Sequence, residues 1–159
     1  MIMAKRIVEE KIKKGSDDSP DYQCKGALDY KVTLKCRNTK QKEFRQIIKD
    51  KEVTFCNGNA GTGKSYVTLA TALELLKNPE TPYKKILIVT PTIQSDIEVG
   101  FLKGTLKEKL APFSIPHNYT MEKILETSNN SKTGKEILST LDKCGLLEFG
   151  CVSFMRGMT

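Results

Sequence analysis

Apolar residues along the chain fall into short runs of changing period, and each period predicts an element. Leu28, Tyr30, Val32 and Leu34 alternate with polar neighbours, the period-two pattern of a half-buried strand. From Asn38 the spacing changes. Phe44, Ile47 and Ile48 recur at helical intervals, with Asn38 placed as N-cap. Val53 to Asn57 reads as a short buried strand. Thr62 to Leu76 then predicts a helix, because Tyr66, Leu69, Ala70, Leu73 and Leu76 form one apolar stripe that Asn78-Pro79-Glu80-Thr81-Pro82 stops. Ile86-Leu87-Ile88-Val89 is a continuous apolar run, as expected of a parallel strand covered on both faces.

Further on, Thr105 to Leu110 predicts a short helix ending before Pro112, and Met121 to Glu126 a helical turn or two. Ser128 to Ser131 reads as a loop, Lys135 to Leu141 as a helix with Ile137, Leu138 and Leu141 on one face, and Leu146 to Phe154 as a third strand. His117, between Pro116 and Asn118, is expected in a loop rather than as a base. Strand, helix and strand from Val53 to Val89 imply a right-handed βαβ unit and an α/β sheet. Residues 1–37, with a turn or linker at Gly15 to Pro20, read as an N-terminal extension, and residues 38–159 as the domain proper.

Length adds one bound: 159 residues fit a single domain with one small core. A net charge of +7 with a pI near 9.1 permits attraction to polyanions, and is equally the mark of a solvated Lys-rich surface. The five cysteines are odd in number and lack a C-x-x-C pair, which argues against a zinc site or a secreted disulfide framework. No apolar run approaches the ~18 residues of a membrane span, and no signal-like segment opens the chain, so a reduced cytoplasmic setting away from membranes is expected.

The strongest chemistry lies at Gly58 to Ser65, G-N-A-G-T-G-K-S, which satisfies G-x-x-x-x-G-K-[ST] between a predicted strand and a predicted helix. Glycines there let successive backbone N–H groups curl around phosphate oxygens, and the helix N-terminus that follows favours anions. Lys64 is the expected ammonium for the β- and γ-phosphates and Ser65 the expected Mg2+ ligand. Asn59, Ala60, Gly61, Thr62 and Gly63 complete the cradle, and Tyr66 follows it. Gln41 has two readings: a capping box that reaches back to the Asn38 N–H, or a contact to an adenine base.

Several stretches align in order with one family. Asn38 to Phe44 (N-T-K-Q-K-E-F), G-N-A-G-T-G-K-S, Pro91-Thr92, Gly100-Phe101-Leu102, Leu106 to Lys109 and Phe154-Met155-Arg156-Gly157 resemble the PhoH-like ATPases, phosphate-starvation-inducible relatives of superfamily 1 helicases common in bacteria and phages. The resemblance runs from Asn38 to the last residue. It implies a P-loop NTPase fold of RecA-like type, three α/β/α layers with a mostly parallel sheet. It also implies ATP and Mg2+ as cofactors, Gln41 as the adenine contact, RNA or single-stranded nucleic acid as partner, with contacts near Gly100 to Lys109, and ring-shaped homo-oligomers in complete proteins. One departure is Thr90, where the family has Arg before the Pro.

Hydrolysis needs more than this loop. A carboxylate must orient water and another group must hold Mg2+ through its shell. The family takes both from an acidic pair after the Met-Arg-Gly element, and here only Leu146-Leu147-Glu148 comes near such a run. The sequence therefore reads as the N-terminal part of an ATPase domain, expected to bind ATP rather than hydrolyse it. A nucleotide-binding module without turnover and a P-loop small-molecule kinase are the competing readings.

Overall fold

The computed structural model describes residues 2–3, 24, 26–90, 106–126 and 133–152. Their elements are β1 (Ile2–Met3), α1 (Thr39–Asp50), α2 (Lys64–Lys77), β2 (Ile86–Thr90), α3 (Leu106–Glu126), α4 (Gly134–Lys143) and β3 (Leu147–Cys151). Together they make a mixed α/β fold on a small sheet of order β1-β2-β3. β2 and β3 run parallel, with Ile86 beside Leu147 and Thr90 beside Cys151, and β1 adds antiparallel at the other edge of β2. The long return through α3 and α4 is what a parallel pair demands.

Local chemistry sets the helix limits. Asn38 Oδ1 accepts the Gln41 N–H at 2.8 Å and starts α1 as the sequence predicts. A capping box opens α4: Thr133 Oγ1 accepts the Glu136 N–H, and Glu136 Oε2 accepts the Thr133 N–H at 3.0 Å. At its far end Gly145 has φ +66°, and the N–H groups of Gly145 and Leu146 bond to Asp142 and Leu141 carbonyls. That pairing closes the helix through a left-handed glycine and delivers Leu147 straight into β3.

The core collects Leu69, Leu73, Ile88, Met121, Ile124, Leu125, Leu141 and Leu147, each essentially sealed from solvent. On α2 the predicted stripe is buried at Leu69, Ala70, Leu73 and Leu76, but Val67 and Thr71 are buried as well. Covering this wider arc is tolerable because Thr71 Oγ1 donates to the Val67 carbonyl at 2.7 Å, leaving no unmet hydroxyl. Glu74, on the flank of the same helix, accepts Arg45 at 2.7 Å and Lys49 at 2.9 Å, tying α1 to α2.

Four expectations change. Leu28 to Leu34 keeps its alternating burial but joins no ladder among the described residues, and Tyr30 turns to α2: 1% exposed, it donates its hydroxyl to the Leu73 carbonyl at 2.9 Å, and Lys77 Nζ donates to the Tyr30 carbonyl at 2.6 Å. Val53 to Asn57 is not a buried strand. Val53 is 71% and Phe55 88% exposed, the run joins none of the described strands, and both edges of β2 are taken by β1 and β3. The βαβ unit expected there is accordingly not formed.

Third, α3 is one helix that runs through Pro112 and Pro116 and contains His117, where two short helices and a loop are predicted. Each proline removes one backbone donor, and burial of Met121, Ile124 and Leu125 against the core outweighs that loss. Fourth, Cys24 and Cys144 form a disulfide across 120 residues, a pairing the cysteine spacing does not announce. The predicted features at Gly15 to Pro20, Pro91 to Gly104, Ser128 to Ser131 and Phe154 to Gly157 lie outside the described residues. No helix among the described residues is long and apolar enough to cross a membrane.

Candidate functional site

Gly58 to Ser65 forms a tight loop that ends on α2. Gly61 and Gly63 take φ of +75° and +83°, a left-handed backbone that side chains with a Cβ resist. Gly63 is the N-cap of α2, and no side chain caps the helix there. The N–H groups of the first turn therefore point out of the loop unclaimed by a capping residue, at the positive end of the helix dipole. Lys64 folds back over this opening, its Nζ donating to the carbonyls of Gly58 at 2.8 Å and Asn59 at 2.7 Å. Thr62 Oγ1 donates to the Asn59 carbonyl at 2.9 Å and Asn57 Oδ1 accepts the Gly58 N–H at 2.8 Å, so the loop is braced from within.

Gln41 is brought to the loop from α1. Its Nε2 donates to the Thr62 carbonyl at 3.0 Å, while its Oε1 accepts the Arg37 N–H at 2.7 Å. The capping box with Asn38 is thus half made: Asn38 caps the helix, but the Gln41 side chain serves Arg37 and the loop. A Cβ at Gly63 would stand 3.0 Å from Gln41 Nε2, so glycine at that position also makes room for this contact.

A groove of about 530 Å³ runs from the loop along α2. Lys64, Ser65 and Thr68 line its loop end, and Phe44, Phe55, Tyr83 and His117 its walls. Ser65 is exposed, whereas Tyr66 is half-buried and packs against the core beside the loop. Among the described residues lining the groove, Glu52 supplies the one carboxylate. Tyr83 and His117 escape sequence reasoning because they reach the groove from segments distant in the chain, and no local spacing marks them.

Burial lowers the His117 pKa below its ordinary 6.5. Protons then bind the unfolded chain more readily than the folded one, so stability is fully present above about pH 6.5 and falls as pH drops through that range. The expected result is a lower urea midpoint at pH 5 than at pH 7.5, with the difference reduced in His117→Gln. An unchanged pH difference in that variant would remove His117 as its source.

Comparison with known proteins adds lineage. A family model described as PhoH-like protein matches residues 33–159. A PhoH-like protein of Bacillus subtilis (strain 168) is 30% identical over 127 residues, 80% of this chain and 37% of its own length. One from Synechocystis sp. is 28% identical over 126 residues, 79% of this chain and 35% of its own. Protein PhoH of Escherichia coli (strain K12) is 35% identical over 80 residues, covering 50% of this chain and 22% of that protein. The chain thus spans little more than a third of the length of the first two relatives. No solved structure matches it significantly.

Proposed function

The chain belongs to the PhoH-like protein family, and from that premise we propose that its Gly58 to Ser65 loop binds ATP together with Mg2+. The observation that carries this reading is the loop itself, with uncapped N–H groups at the head of α2 under the Lys64 ammonium. Phosphate oxygens exchange for the Gly58 and Asn59 carbonyls as partners of Lys64, and the backbone from Asn59 to Ser65 wraps them. Mg2+ prefers few protein ligands and several from phosphate and water. The exposed Ser65 hydroxyl fits that demand, and the described residues contain no cluster of three ligating side chains that would hold the ion alone. Bound Mg2+ would neutralise phosphate charge. Gln41 and Tyr66 flank the site, with Gln41 assigned to the adenine.

For the complete protein we further propose ATP hydrolysis at this loop coupled to RNA or single-stranded nucleic acid, as the family resemblance implies. For the residues described, binding without turnover is the better-supported reading, because Glu52 is the only described carboxylate on the groove. Titrating ATP and GTP into the chain with Mg2+, followed by a phosphate-release assay, tests both parts. Saturable ATP binding stronger than GTP binding, with negligible release, is expected. No saturation at millimolar ATP would overturn the nucleotide reading, and steady release of phosphate would overturn binding without turnover.

A further inference from the structure

Gln41 meets the phosphate loop at a joint that glycine leaves loose. Gly63 takes φ +83° at the head of α2, and a glycine lets the peptide before it turn at little steric cost. That peptide joins the Thr62 carbonyl to the Gly63 N–H. A trans peptide points its carbonyl and its N–H in opposite directions, so whatever fixes the Thr62 carbonyl also fixes where the Gly63 N–H aims. Gln41 Nε2 donates to this carbonyl at 3.0 Å. The Gly63 N–H is thereby held facing away from Gln41. A Cβ at Gly63 would crowd Nε2 at 3.0 Å, so the missing side chain both frees the peptide and admits the amide that pins it.

The side chain that pins the peptide is itself held. Gln41 Oε1 accepts the Arg37 N–H at 2.7 Å, so the amide faces a donor at one end and an acceptor at the other, and only one of its two orientations satisfies both. Asn38 Oδ1 accepts the Gln41 backbone N–H at 2.8 Å, and Arg45 and Lys49 tie α1 to α2 through Glu74. The brace thus runs from a helix fastened to the flank of α2 to the loop at the head of α2. These two bonds use one N–H and one lone pair of the amide and leave one of each for a base. We propose that Gln41 is a positioning residue for phosphate, which holds the Thr62–Gly63 peptide so that the Gly63 N–H faces the bound phosphate, and that this role needs no base. The proposal rests on the reading of Gly58 to Ser65 as a polyphosphate site. Without the brace the peptide samples other orientations, and affinity falls with the fraction of chains that hold the competent one.

Inorganic tripolyphosphate with Mg2+ is the discriminating probe, because it carries the phosphates of ATP and no base. Calorimetric titration of the full chain with this probe and with ATP compares the unmodified protein with two variants. Gln41→Met keeps the length of the side chain and removes both amide bonds. It is expected to weaken tripolyphosphate about fivefold, the population ratio that one net hydrogen bond sets, and ATP at least as much. Thr133→Ala strips the N-cap of α4, a helix whose residues do not line the groove. It is expected to lower the urea midpoint and leave both affinities unchanged. In the ligand-free chain the Gly63 amide nitrogen senses the hydrogen bond on the carbonyl attached to it, and its 15N resonance is expected to move in Gln41→Met and stay in place in Thr133→Ala. An unchanged tripolyphosphate Kd in Gln41→Met, with ATP alone weakened, would confine Gln41 to the base and overturn the positioning role. An equal loss in Thr133→Ala, an unmoved Gly63 resonance in Gln41→Met, or an unmodified chain that binds ATP but not tripolyphosphate would overturn it too. If the unmodified chain binds neither ligand, the polyphosphate reading falls and the positioning role with it.

Discussion

Lys64→Ala is expected to weaken ATP binding about 10- to 100-fold while leaving the fold intact. A hydrogen bond to a charged group contributes about 1.5–3 kcal/mol, and each 1.4 kcal/mol is about tenfold in affinity. The ammonium sits over the uncapped head of α2, held only by the two carbonyls of Gly58 and Asn59 and a long contact to Thr62. Those bonds are exposed, so their loss costs the folded chain little. Calorimetric titration with ATP and Mg2+ reads the affinity and a urea melt reads the fold. An unchanged Kd would remove the loop as a phosphate site, and a collapse of the melt would show that Lys64 holds the loop itself together.

Tyr30→Ala is expected to carry the largest stability loss, about 3–5 kcal/mol, by analogy with truncation of other buried aromatic residues. Tyr30 lies in the core with Leu69, Leu73 and Leu76, and its hydroxyl caps a helix carbonyl at Leu73. Tyr30→Phe keeps the packing and loses that one bond, so about 1 kcal/mol is expected. For a chain of this length the alanine variant corresponds to a fall in Tm on the order of 10 °C. A wild-type Tm in Tyr30→Ala would mean that the segment before α1 is an appendage after all.

Tyr30 also shows how far the sequence could be read. Its period-two setting forecast which side chains turn inward, because alternation is a local property. It could not forecast that the partner would be α2 rather than a strand. The same division holds elsewhere. α2, β2 and α4 were legible because their stripes and stop signals lie within a few residues of one another, and the tight Gly58 to Ser65 turn because its glycines stand at short fixed spacing.

Where a non-local partner decides, local signals mislead. Pro112 and Pro116 argue for a break, yet packing of Met121, Ile124 and Leu125 keeps α3 whole. Val53 to Asn57 has the composition of a strand but pairs with no strand among the described residues. The Cys24–Cys144 bond joins residues that only the tertiary fold brings together. Gln41 offered two readings, and the fold adds a contact neither of them announced, a bridge from Arg37 to Thr62. The groove walls at Tyr83 and His117 were invisible for the same reason.

The bare run from Val53 to Cys56 has a consequence for how this chain behaves in bulk. Val53 and Phe55 stand out in solvent with no ladder among the described residues to occupy the backbone, and Thr54 Oγ1 is buried without a hydrogen-bond partner among the described residues. Two chains meeting at such an edge can satisfy each other by pairing, and the frequency of those meetings grows with the square of concentration. The stretch that leads into Gly58 therefore also sets a ceiling on how concentrated the chain can be before it self-associates.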